Sequence, residues 1–74
     1  MKLTAKQVRE NGRRAKRALN ALASQGYSEG NDVETAIVDF MADVRHLCDD
    51  YGIAFGEISN RGYDHYIAEI GGED

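Results

Sequence analysis

The feature that most limits what this chain can fold into is the spacing of apolar residues across positions 32–52. Val33, Ile37, Phe40, Met41, Val44, Leu47, Cys48 and Tyr51 recur at steps of one, three and four. At roughly 100° per residue they cover one arc of about 140° on a helix. Both ends carry signals of their own. Asn31 or Asp32 can accept a hydrogen bond from the free N–H groups of the first turn, and Glu34 follows Asn31 at the capping-box spacing. Gly52 takes the left-handed conformation that a helix end wants, and Ile53 follows where an apolar side chain folds back onto the last turn. The spacing predicts a central helix over about 32–51.

The flanking segments read as helices built around it. Thr4 and Gln7 have capping-box spacing, so a first helix is expected over about 5–24, favoured by its alanines. Its apolar stripe, Val8, Ala15, Leu19 and Leu22 with Gly12 inside it, is narrow. Lys6, Arg9, Arg13, Lys16 and Arg17 lie beside that stripe on an arc of about 100°. Residues 25–31 form a short glycine-containing loop suited to an antiparallel return, with Tyr27 expected to close the end of the core. Ile53 and Ala54 are too few for a strand. A third helix fits about 55–70, with Phe55, Ile58, Gly62, Tyr63, Tyr66, Ile67 and Ile70 on its apolar face. Gly56 and Gly62 weaken it by about 1 kcal/mol each. Gly12 and Gly62 sit within apolar stripes, where a missing side chain lets another backbone come close. Residues 71–74 read as an acidic tail. The expected architecture is all-α: one three-helix domain over 1–74, with the second helix central and the other two packed on it.

Seventy-four residues bury only about 60% of the surface of the unfolded chain, so the core is marginal. Chains of this size gain stability from a disulfide, a metal or a partner chain. The single cysteine excludes an internal disulfide and suits a reducing compartment. A narrow first stripe and a small core favour a homodimer. No apolar run is long enough for a transmembrane helix. The basic start lacks the apolar block of a signal peptide, so the expected location is the cytoplasm. The net charge of −4 hides a split. Residues 1–24 carry seven Lys/Arg against one acid, and residues 25–74 carry two Arg against twelve acids.

Chemistry-bearing constellations are weak. His46 and Cys48 stand two apart, so on a helix they point about 200° apart. Asp43, His46 and Asp50 share a face but lack the thiolates of a structural zinc site. Cys48 lies on the apolar stripe beside Asp49 and Asp50, the opposite of what activates a thiolate. His65 sits at the edge of the third helix's apolar face. No phosphate loop, nucleophile elbow or zinc-protease motif is present. No catalytic residue, metal or cofactor is therefore expected. The most concentrated polar feature is one margin of the central helix, where Asp39, Asp43, His46 and Asp50 follow at steps of four, three and four. The leading reading is a non-catalytic protein that binds a basic partner protein there, with Asp49, Glu57 and Asp64 in support. The bland reading of the same margin is a solvated face beside a core. A nucleic-acid-binding regulator using Lys6, Arg9, Arg13, Lys16 and Arg17 is the alternative, opposed by the acidity of the rest of the chain. A dimerisation or assembly module is a third reading. A membrane-surface role is disfavoured, because the first helix's apolar face is mostly alanine.

The run DFMADVRHLCDDYGIAFGEISNRGYDHYIAEI at 39–70 resembles small uncharacterised proteins encoded by phages, prophages and plasmids. Those proteins share a pattern of the form D-x-M-x-D-V-R-H-x-C-D, then G-I-x-F, then an end that carries a histidine followed by a tyrosine. The matching positions are Asp39, Met41, Asp43, Val44, Arg45, His46, Cys48, Asp49, Gly52, Ile53, Phe55, His65 and Tyr66. The likeness covers about half the chain and leaves out the basic helix. It departs at Ala54, where the family often has a helix-capping acid, so the third helix is expected to start less crisply. The resemblance implies an origin in a mobile element and implies no activity. Small acidic helical proteins from such sources commonly bind host proteins, anti-CRISPR proteins and other host-takeover inhibitors among them. By that analogy the expected partner is a host protein.

Overall fold

In a computed structural model, which describes residues 3–30 and 32–71, the chain forms three helices: α1 (Ala5–Ser24), α2 (Val33–Tyr51) and α3 (Phe55–Glu69). No strand occurs among the described residues. The fold is all-α, and the helix bounds follow the capping signals of the sequence closely. The Gln7 N–H donates to Thr4 Oγ1 at 3.1 Å, and the Thr4 N–H donates to Gln7 Oε1 at 2.8 Å, a complete capping box for α1. Asp32 caps α2 by accepting from the Thr35 N–H at 2.8 Å. The alternative cap, Asn31, and the tail at 72–74 lie outside the described residues.

The α2 end shows why a glycine is required. Gly52 has φ +67°, the left-handed region that residues with a Cβ avoid. The Ile53 N–H then reaches back to the Cys48 carbonyl at 2.9 Å and the Gly52 N–H to the Asp49 carbonyl at 3.3 Å. This is a Schellman closure, which satisfies carbonyls that a bare helix end leaves open. By contrast α3 begins at Ala54 with no side-chain cap. Its first turn is held only by backbone, with the Glu57 and Ile58 N–H groups donating to the Ala54 carbonyl at 3.1 and 3.2 Å.

Helix α2 lies against both α1 and α3. Tyr27 in the connecting turn packs its ring edge-on against Phe40, with centroids 5.3 Å apart. The Arg45 guanidinium lies 4.2 Å over the Phe55 ring and joins α2 to the start of α3. The α1–α3 junction is polar. The Asn11 side-chain amide donates to the Glu69 carbonyl at 3.0 Å, and Arg14 Nε stands 3.2 Å from Glu69 Oε2.

The interior differs from the expectation of a concealed apolar stripe. Among the described residues only Leu22, Ala36 and Cys48 are buried hydrophobics. On α2, Val33, Ile37, Phe40, Met41, Leu47 and Tyr51 are all exposed, Ile37 at 47% and Tyr51 at 74%. The physical reason lies in α1. Its side toward α2 is largely alanine, and two of its three large apolar residues, Val8 and Leu19, are themselves exposed, so it cannot roof the stripe. Nor do Gly12 and Gly62 admit another part of the chain, because a Cβ built at either would meet nothing within 4 Å. The molecule measures 37 × 30 × 15 Å, a plate half as thick as it is wide. Its radius of gyration of 14.4 Å exceeds the roughly 11 Å of a compact chain of this length.

Candidate functional site

The acidic margin of α2 arises from helix geometry alone. Asp39, Asp43, His46 and Asp50 fall on one side of α2 because steps of three and four keep residues on one helical face. All four are exposed. Asp39 and Asp43 stand at the mouth of a shallow depression of about 370 Å³, walled by Gln25, Gly26 and Tyr27 from the connecting turn. The Tyr27 hydroxyl donates to Asp43 Oδ2 at 2.7 Å. That hydrogen bond is the largest cause holding the Tyr27 phenol above its ordinary pKa; burial and the charges of Asp43 and Asp39 add to it. At the head of the same helix, the backbone hydrogen bond from Thr35, with a contribution from its side chain, holds the Asp32 carboxyl below its usual range.

The supporting residues are less well gathered. Asp49 is exposed but stands one position from Asp50 and so points about 100° away from the margin. Glu57 lies in the first turn of α3 and Asp64 in its middle, both exposed. Among the described residues no hydrogen bond or ion pair joins either to the α2 margin. Four carboxylate and imidazole positions therefore form one edge, and three acids lie elsewhere.

The cations of α1 do not cover that edge. The ion pairs among the described residues are Lys6–Glu10 and Arg14–Glu10 within α1, each at 4.0 Å, and Arg14–Glu69 toward α3. Arg9, Arg13, Lys16 and Arg17 are exposed and enter none of these pairs. Arg13 and Arg17 share with Arg14 and Glu10 a second depression of about 230 Å³. No ion pair among the described residues joins the basic stripe to the acidic edge, and the exposure of that edge also fits its plainer reading as a solvated face. Arg14 was separable from the stripe by spacing, since it lies off the arc shared by Arg9, Arg13 and Arg17. Its partner Glu69 was not legible, because the two are far apart in sequence. Tyr27 is the other participant that spacing missed: an apolar plug was expected, and its hydroxyl proves to be bound to Asp43.

Cys48 is buried, as its place on the stripe implied. Among the described residues no three of His, Cys, Asp and Glu are close enough together to hold a metal ion. No helix of the described residues is long and apolar enough to cross a membrane. No family model, no curated protein and no solved structure matches the chain.

Proposed function

We propose that this chain is a non-catalytic interaction protein that captures a basic surface of another protein through the α2 margin formed by Asp39, Asp43, His46 and Asp50. The observation that carries the reading is the exposure of that margin, to which no ion pair among the described residues brings a cation of the same chain. Carboxylates aligned on a rigid helix complement a basic patch, speed encounter and set register more than they add raw affinity. Asp39 and Asp43 would form the centre, since the turn carrying Tyr27 builds a wall beside them. The host-directed role, an accessory of a phage or other mobile element that inhibits host defence in the manner of anti-CRISPR proteins, rests on the resemblance at 39–70. In that reading the chain works in the host cytoplasm and needs no cofactor.

Pull-down from host lysate with the double variant Asp39→Lys/Asp43→Lys is the test. The variant is expected to lose the captured protein while keeping the helical circular-dichroism signal. Undiminished capture by the folded variant removes this margin from consideration.

A second reading is supported by Arg13, Arg14 and Arg17 lining one depression. In it, α1 binds the phosphates of a nucleic acid through Lys6, Arg9, Arg13, Lys16 and Arg17. The acidic α2 and α3 weigh against a duplex lying flat on the molecule, which is why the protein-binding reading stands first.

A further inference from the structure

The chain presents 6002 Å² of surface, whereas a folded monomer of 8.2 kDa presents about 4,500 Å². The excess is about 1,500 Å², and large apolar side chains on all three helices contribute to it. Between α1 and α2 this surface is concave. Arg14, Arg17, Ala18, Ala21 and Leu22 of α1 and Ile37 and Phe40 of α2 line a trough of about 500 Å³. Ile37 is 47% exposed and Phe40 39%, so each forms a ridge beside the trough as well as a wall of it.

We propose that this trough is one half of a two-fold interface whose occupant is a second copy of the same chain. The area fits this occupant. The excess spans all three helices, so this trough need hide only part of it, and an interface of standard size takes about 800 Å² from each chain. A transient partner would leave the free chain with its excess still in water. The shape is self-complementary: small residues on one wall and bulky ones on the other let each copy set its Ile37–Phe40 ridge into the other's alanine-lined wall, the isologous arrangement that a two-fold axis requires. Charge agrees as well. Arg17 enters none of the ion pairs of its own chain among the described residues, and residues 25–74 of a second copy bring twelve acids against two arginines. A chain so divided in charge attracts its own copy where a uniformly acidic one would repel it. The trough shares no lining residue with the depression at Asp39 and Asp43. The two are adjacent, since Phe40 of the trough packs on Tyr27 of the depression, and the mass of the chain and the capture of a partner test them by separate measurements.

Sedimentation equilibrium of the full chain over a broad concentration range tests the proposal. The expected mass is twice 8.2 kDa, with a thermal midpoint that rises with protein concentration. Ala18→Trp fills the trough from its own wall at an exposed helical position and is expected to weaken association by about tenfold or more. Val38→Lys, at a position 61% exposed and outside the trough, is expected to keep the mass of the parent chain. Mixed labelled and unlabelled chains are expected to give isotope-filtered contacts from the Ala18 or Ala21 methyls of one copy to the Phe40 ring or Ile37 methyls of the other. A monomer at every concentration overturns the proposal. So does a dimer whose filtered contacts avoid these residues, and that measurement decides the matter even where Ala18→Trp disturbs folding.

Discussion

At the scale of single residues, two titrating groups report on local geometry. Tyr27 donates to Asp43, and its phenol is raised above the ordinary value chiefly by that bond. Its contribution to stability is then complete below the unfolded value of about 10 and is lost as pH rises through the higher folded value. Asp43→Asn removes the charged acceptor and is expected to shift one phenol of the absorbance titration toward the ordinary range, a change that Tyr27→Phe identifies by deleting it. An unchanged titration would mean that the two groups do not meet in solution. Asp32 behaves in the opposite sense. Its carboxyl is lowered by the Thr35 hydrogen bonds, so its cap is at full strength above about 3.9 and fails as pH falls through the depressed value. Loss of helical signal at acid pH is expected to diminish in Asp32→Asn, which caps without titrating.

At the scale of elements, the three helices are unequal in how they are held at their ends. α1 has a reciprocal capping box and α2 has an aspartate cap and a Schellman close, but α3 starts on an alanine. A missing N-cap leaves first-turn N–H groups to water and costs typically about 1 kcal/mol. Ala54→Asp or Ala54→Ser is therefore expected to raise the thermal midpoint, with a gain of roughly 0.5–2 kcal/mol in unfolding free energy. Gly62 gives a complementary test within the same helix. Nothing in the chain would touch a Cβ there, so Gly62→Ala is expected to stabilise by roughly 0.5–1 kcal/mol through backbone entropy and helix propensity. A lower midpoint would place a backbone from another molecule against that glycine.

At the scale of the whole molecule, the decisive property is a flat arrangement of helices whose charge is divided along the sequence. The basic residues gather on α1 and the acids on the rest of the chain, α2 and α3 included, so each half offers an electrostatic surface to something outside the chain. If α1 binds phosphates, affinity must fall steeply with salt, by a logarithmic slope of about −0.9 per phosphate neutralised. Mobility-shift titrations over a range of salt are expected to show this slope reduced in Arg13→Glu/Arg17→Glu. Absence of any shift at low salt removes the nucleic-acid reading and leaves the acidic margin as the working surface. Opposite charges attract, yet no ion pair among the described residues joins α1 to the α2 acids; α1 meets α3 instead, through Asn11, Arg14 and Glu69.

What could be read from the sequence was local. Thr4 with Gln7, Asp32, and Gly52 with Ile53 fix helix ends within a few residues of themselves, because capping hydrogen bonds span only one turn. The steps of three and four from Asp39 to Asp50 place the acidic margin for the same reason. What the sequence could not decide was which apolar faces would find cover. Ile37, Phe40 and Leu47 carry the period of a buried stripe, yet their burial depends on what stands opposite, and α1 supplies mainly alanine. The Arg14–Glu69 contact and the Tyr27–Asp43 bond likewise join residues whose separation along the chain carries no periodic signal. Periodicity determined the helices and their faces, since both are set by backbone geometry. Only the tertiary arrangement decided that the apolar face stays largely open, since closing it needs more bulk than these three helices hold among themselves.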